Sequence, residues 1–387
     1  MRCGGWLQSH TRYDGGMDQA LAQITERVRA AVADQTPLRI RGGGTKDFHG
    51  RGGLHGDVLD TRLLSGITSY EPSELVITAR AGTPLAELEA ALAAKGQCLP
   101  FEPPHFSPGA TVGGMVAAGL SGPARASVGA VRDYVLGVSL INGKAEPLTF
   151  GGQVMKNVAG YDVSRLMAGS WGTLGLLTEV SLKVLPVAPA EATLRFECNQ
   201  ADALRKLHAW GGQPLPLNAS CWVQDGGVGT LYVRLRGAVA AVQAACKTMG
   251  GTLLDNATTA PDWSACRDHT LPWFTQRAQQ PDLALWRLSL PATAPVLALP
   301  AAAQPLVEWH GALRWVQAPA SAGDALRAAA EAVGGSASVF VAASAYPESA
   351  SGQFDPKSAA LAKIHARVKQ AFDPAGIFNP GRLAAAW

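Results

Sequence analysis

Glycine is the residue through which this sequence first offers chemistry. Arg41-Gly42-Gly43-Gly44-Thr45 follows a short strand-like run at 37–40. Successive small residues let neighbouring backbone N–H groups converge on one anion. Pro108-Gly109-Ala110-Thr111-Val112-Gly113-Gly114 can form a second nest of this kind, continued by Gly119, Ser121 and Gly122. One triple glycine is most often a tight turn. Two nests far apart in the chain suit a diphosphate gripped from two sides. A third cluster begins at Lys156-Asn157-Val158-Ala159-Gly160-Tyr161-Asp162. It passes Leu166 and reaches Gly169-Ser170-Trp171-Gly172-Thr173-Leu174-Gly175, then Leu177, Thr178 and Glu179.

Other chemistries lack their residues. No G-x-G-x-x-G, G-K-[ST], H-E-x-x-H or G-x-S-x-G occurs, so the Rossmann, P-loop, zincin and hydrolase-elbow readings have no anchor. The eight histidines are scattered, and no metal site is expected. Cys3, Cys98, Cys198, Cys221, Cys246 and Cys266 form no C-x-x-C and read as reduced thiols. A net charge of +3 and no basic aromatic stripe argue against a nucleic-acid groove.

The elements that must position these clusters are legible in part. At 387 residues with 47% hydrophobic and 16% charged side chains, the chain can bury large cores. Residues 1–16 lack periodicity and read as an N-terminal extension, expected to be disordered. Leu21, Ile24, Val28 and Val32 then share one helical face. A strand is expected at 74–80, followed by a helix with Thr83 as N-cap, Pro84 first, and Leu85, Leu88 and Leu92 buried. The stretch 98–130 reads as an ordered loop system, and strands follow at 134–141 and 174–185. Pro186 and Pro189 mark a boundary near 190. Beyond it, strands at 192–197, 220–224, 230–235 and 284–290 alternate with helices at 202–210, 238–249 and 323–333, an α+β pattern. A last helix should bury Leu361, Ile364, Val368 and Phe372. The apolar stretch 283–303 contains Pro291, Pro295, Pro300 and Arg287 and is not read as a membrane span. No secretory apolar region is seen at the start, so a cytoplasmic location is expected.

With the third cluster in view, residues 36–187 resemble the vanillyl-alcohol-oxidase, or PCMH-type, FAD-binding family. The resemblance rests on the R-G-G-G-T run at 41–45, the T-x-G-G loop at 111–114, the S-G-P at 121–123, and Gly129, Arg132, Asp133, Val135, Leu136 and Gly137. It is completed by the run from Gly160 to Glu179. It implies FAD, with the glycine loops on the pyrophosphate and ribityl chain and Gly172–Thr178 along the flavin. Covalent members carry a His where Thr45 stands, so the resemblance implies non-covalent FAD. His49 and His55 read as surface loop residues.

The C-terminal half narrows the resemblance. Glu308-Trp309-His310-Gly311-Ala312-Leu313-Arg314-Trp315, and the run from Phe372 to Arg382, resemble the FAD-binding E-type subunits of bacterial glycolate oxidases. His310 stands where those subunits carry Gly. The resemblance implies a PCMH-type FAD domain at 17–190 and a cap at 191–387 with a ferredoxin-like antiparallel sheet and a tail returning to the flavin. It also implies oxidation of glycolate to glyoxylate, with a catalytic D-type flavin subunit and an iron–sulfur F-type subunit as partners. Attachment to the inner membrane would come through those partners. His310, Arg314, Asn379 and Arg382 are the candidate catalytic residues, since an Arg fork suits a carboxylate or flavin carbonyl. Trp309 and Trp315 read equally well as core. A stand-alone oxidase of another hydroxy acid or alcohol, and a non-catalytic FAD scaffold, remain alternatives.

Overall fold

In the computed structural model, which describes residues 15–50, 55–152, 161–225, 227–300, 303–343 and 358–384, the first helix spans Gly15–Asp34. All but the last two residues of the expected extension lie outside those ranges, as do 156–160. Ile24 and Val28 bury against Leu38, Leu59, Leu176 and Phe378. Strand Leu38–Arg41 pairs in parallel with Asp57–Asp60, and the first glycine loop springs from its end.

A five-stranded antiparallel sheet forms the first core. Its order is Ile67–Glu71, Val76–Arg80, Leu176–Lys183, Val135–Ile141, Pro147–Gly151. Helix Leu85–Ala93 packs on it through fully buried Leu85, Leu88 and Leu92, each contributing about 1.5–3 kcal/mol. Thr83 is not the cap of that helix. Its hydroxyl donates to Gly66 O and accepts from Gly66 N, and Pro84 takes the N-cap place. Thr111 does cap, accepting from Gly114 N at 3.2 Å. The stretch 98–130 is therefore not loop throughout; it contains helix Val112–Ala118 and the short helix Arg125–Val128.

From Ala190 the chain builds an eight-stranded antiparallel sheet. Ala190–Glu197, helix Gln200–Gly211, Leu217–Asp225, Val228–Gly237, helix Val239–Met249 and Thr252–Leu254 follow the β-α-β-β-α-β succession. Their spatial order is fourth, first, third, second, which is the ferredoxin-like arrangement. Leu283–Ser289, Leu306–Glu308, Leu313–Pro319, helix Gly323–Glu331 and Ser336–Val341 repeat that neighbour order, with a loop in place of the first helix. The halves join where Leu217–Asp225 pairs with Leu306–Glu308. The apolar stretch after 283 is thus a central strand and a loop. Among the described residues no helix is long and apolar enough to cross a membrane.

Helix Ala359–Phe372 departs from its expected burial. Only Val368 and Phe372 pack on the first core, while Leu361 and Ile364 are 42% and 57% exposed. Lys369, in its last turns, is its buried group. The chain then folds back on the first strand: Leu38 N donates to Ile377 O at 2.7 Å and Asn379 N to Leu38 O at 2.9 Å.

Candidate functional site

Three loops and the C-terminal tail enclose a cleft. Arg41, Gly42, Gly43, Gly44 and Thr45 line one wall, Thr111, Gly113 and Gly114 a second, and Gly172, Gly175 and Leu177 a third; Asn379 and Arg382 close it. The glycines are needed because these backbones touch. A Cβ on Gly43 would stand 1.6 Å from Gly109 O, and one on Gly42 2.4 Å from Thr111 Oγ1. The missing side chain at Gly43 therefore makes room for the neighbouring loop, not directly for a ligand. The N–H groups of Gly43, Gly44 and Thr45 donate to no acceptor among the described residues. Unpaired, adjacent donors on a cleft wall are an anion nest.

The charge balance agrees. Asp47 is occupied by Arg39 at 2.5 Å and Arg41 at 2.9 Å. Lys46 lies on the cleft with its ammonium 5.4 Å from the Phe106 ring centre, and burial lowers it to about 8. Arg382 donates to Lys46 O at 2.8 Å, stacks 5.2 Å from Trp171, and is held at about 10 by burial. The positive excess, with the open nest, fits a diphosphate such as that of FAD.

The tail locks this geometry. Asn379 Oδ1 accepts from Ile40 N at 2.8 Å while its Nδ2 donates to Trp171 O at 2.7 Å, so one amide ties the first glycine loop to the third. It does so with φ at +42°, a conformation Asn tolerates better than most.

The remaining expected residues lie elsewhere. Pro108 and Gly109 are exposed beside the first loop, and Ala110 O accepts from Leu85 N. Gly119 and Gly169 are apposed, joining helix Val112–Ala118 to the third loop. Thr173 is fully buried, its hydroxyl on Ser170 O. Ser121 and Gly122 border a second, smaller cavity. His310 lies between Ser220 and Ser127 and is lowered to about 4 by burial. Arg314 is spent inside the second sheet, donating to Pro295 O and Ala294 O, both at 2.7 Å, which ties the following loop to its strand. Neither His310 nor Arg314 reaches the cleft.

His49 corrects its surface reading. It is buried, donates from Nδ1 to Phe340 O at 3.0 Å, and its ring lies 4.5 Å from Trp171. His55 is exposed, and Thr45 is on the cleft. Lys46 was missed because a lone Lys next to a glycine run has no spacing of its own to mark it, and Trp171 was quoted within the third cluster without being singled out.

Comparison with known proteins adds three findings. Residues 19–151 match the FAD binding domain family. The chain is 45% identical over 362 residues to glycolate oxidase subunit GlcE of Escherichia coli (strain K12), covering 94% of this chain and 97% of that one. It is 32% identical over 185 residues to glycolate oxidase subunit GlcD of Bacillus subtilis (strain 168), covering 47% and 38%. In fold it is similar to alkyldihydroxyacetonephosphate synthase, with a TM-score of 0.65 at 14% identity over 93% of this chain and 74% of the other.

Proposed function

We propose, for a chain that belongs to the GlcE family of FAD-binding glycolate oxidase subunits, that it oxidises glycolate to glyoxylate as one subunit of a larger assembly. Likeness along nearly the whole length of both chains carries this reading. The cofactor is FAD, and the cleft walls fit its diphosphate. When bound, FAD supplies the acceptor for the hydride leaving the hydroxyl-bearing carbon.

The chain's own residues have separate tasks. Gly43, Gly44 and Thr45 offer their N–H groups to phosphate oxygens, and Lys46 and Arg382 supply positive charge beside them. Burial alone lowers the Lys46 ammonium to about 8; a diphosphate beside it acts in the opposite sense and keeps it charged. Asn379 holds the first and third loops in register. In this reading residues 17–190 are the FAD unit, and 191–387 are a cap whose tail returns to the flavin. A GlcD-like flavin subunit and an iron–sulfur subunit would be the partners, in the cytoplasm and held at the inner membrane through them.

The test is anaerobic reduction by glycolate, of the isolated FAD-loaded chain and then of the assembled complex. We expect slow bleaching of the flavin alone and rapid bleaching in the complex. Rapid turnover by the lone chain would replace this reading with that of a stand-alone oxidase. Flavin in this subunit that never bleaches would leave a structural FAD scaffold.

A further inference from the structure

The eight-stranded sheet carries a cavity of its own. Alternation along strand Leu217–Asp225 turns Trp222 to the face covered by helices Gln200–Gly211 and Val239–Met249, and Cys221 to the opposite face. That opposite face is covered by helix Asn256–Asp268 and, after it, the short helix Pro272–Thr275. Thr259, Asp262, Trp263 and Cys266 recur at the i, i+3, i+4, i+7 spacing of one helix side. All four line a cavity of about 410 Å³ between the helix and the strands, within the range of about 300–1,000 Å³ common for small-molecule sites. It shares no lining residue with the FAD cleft.

Its floor is apolar and its rim polar. Cys221, Trp263 and Cys266 are buried, Trp273 is half-buried, and Gln224, Asp262 and Gln276 are exposed. Both indoles are held before any ligand arrives. Trp263 Nε1 donates to Thr193 Oγ1 at 3.0 Å. Trp273 stands at right angles to Phe274, ring centres 5.0 Å apart, and its carbonyl accepts from Gln317 Nε2. Asp262 is the charged group among the described lining residues, and its carboxylate forms no hydrogen bond or ion pair with any described residue. The cations on neighbouring elements are already matched. Arg234, with Cζ 4.9 Å from the Trp263 ring centre, is held by Glu102 at 2.6 and 2.7 Å. Arg267, five positions along the helix from Asp262, is held by Asp268 at 2.7 Å. Cys266 donates to Glu308 at 3.2 Å, and contact with the Cys221 thiol and burial keep it protonated.

We propose that this cavity binds a small planar aromatic cation, its ring against the indoles of Trp263 and Trp273 and its charge at Asp262. Indole is the best side-chain partner for a cation over its face, and it packs well against flat rings. Water is a poor occupant of the floor. An ordered water needs about two to four polar partners, and here the Trp263 N–H and the Cys266 S–H are already spent. The unpaired carboxylate at the rim repels an anion and attracts a cation. Because Asp262 is exposed, it decides the sign of the ligand more than the strength of binding. The rings supply the strength, since both are fixed and lose little freedom when a ligand packs on them.

Benzamidine, a flat ring bearing an amidinium, is the probe. Benzamide is its neutral counterpart and benzoate its anionic one. Each is titrated by calorimetry into the FAD-loaded chain. The wild type should bind one benzamidine per chain, benzamide about threefold more weakly, and no benzoate. Asp262→Asn, at an exposed position, should remove the preference for benzamidine and leave benzamide binding as it was. Trp273→Ala should weaken both by about fivefold or more at unchanged FAD content. Val223→Phe, which fills the cavity from the strand side, should exclude both from a chain whose circular dichroism shows it folded. A wild type that binds no benzamidine, or binds all three alike, overturns the proposal. So does an Asp262→Asn chain that keeps the preference, or a Val223→Phe chain that binds as the wild type does. Benzamidine binding seen only in the FAD-free chain would put the ligand in the flavin cleft and overturn it as well.

Discussion

The ammonium of Lys369 lies 2.7 Å from the carboxylate of Asp373, and both side chains are buried. The same nitrogen donates to Thr173 O at 2.8 Å and Phe378 O at 3.1 Å, and Asp373 accepts from the N–H groups of Ile377 and Phe378. The pair therefore sets where the tail turns, and with it where Asn379 enters the cleft. Removing one partner leaves a buried charge unpaired, at about 3–5 kcal/mol. Lys369→Met should lower the urea midpoint accordingly and weaken FAD binding. Lys369→Met with Asp373→Leu should recover much of the stability and none of the FAD affinity. Unchanged flavin affinity in both variants would detach the tail from the cofactor.

Gly43 separates two roles that look alike in sequence. A methyl there would overlap Gly109 O at 1.6 Å, so Gly43→Ala must part the first two loops. We expect loss of FAD absorbance near the visible flavin band, with far-UV circular dichroism close to wild type because the eight-stranded sheet lies elsewhere. Full flavin content in Gly43→Ala would show that the loops can separate without cost.

FAD should be releasable. Thr45 faces the cleft, and it offers no nucleophilic ring for a flavin link. His49 is committed to Phe340 O and packed on Trp171. Acid precipitation should leave all flavin in the supernatant. Fluorescence retained on the denatured polypeptide would contradict this.

What could be read from sequence was what geometry leaves no choice about. Gly43 and Gly113 stand where a neighbouring backbone comes close, and Gly42 where the Thr111 side chain does, so no larger residue fits and the pattern is legible. The β-α-β-β-α part of the second unit was visible through its hydrophobic periods, while its closing strand Thr252–Leu254, only three residues long, was not. Single charges were not. Lys46 meets Arg382 and Phe106 only in the folded chain, while Lys369 does carry a local mark, its i,i+4 partner Asp373, that the apolar stripe of its helix overshadows. Arg314 misled because an Arg in a Trp-rich strand resembles a ligand fork, whereas here a neighbouring loop supplies its carbonyl partners. The last helix misled because a helical stripe reports amphipathicity and not what covers it.

Arg314 should accordingly matter for stability and not for substrate. Arg314→Met removes two hydrogen bonds at 2.7 Å to the loop carbonyls Ala294 O and Pro295 O, each charge-assisted and contributing about 1.5–3 kcal/mol. The melting temperature should fall while KM for glycolate in the complex stays within error. A large KM change with an unaltered melting temperature would return Arg314 to the substrate.

Acid should destabilise the chain through its histidines. Burial lowers His49 to about 4 and His269 to about 3, the latter stacked flat on Phe274 at 4.3 Å. Unfolded, both titrate near the ordinary value of 6.5. Between there and pH 4 the unfolded chain therefore binds two more protons than the folded one. Glu308 acts in the opposite sense: raised from 4.5 to about 7, it holds one extra proton in the folded state across that window. Two minus one leaves one, and the partly buried His310, lowered to about 4, adds part of another. Each net proton gives a slope of about 1.4 kcal/mol per pH unit. Stability should thus fall as pH drops from 6.5 to 4.5. Lys46, lowered from 10.5 to about 8, by itself adds stability as pH rises from 8 to 10.5, and the thiols of Cys98, Cys198, Cys246 and Cys266, raised by burial, act in the opposite sense. Urea midpoints at pH 7.5, 6 and 5 measure the acid limb. His269→Asn, which keeps a residue tolerant of the left-handed backbone at that helix end, should flatten it by about one proton. An acid limb as steep in His269→Asn as in the wild type would mean that this imidazole enters the folded core already charged.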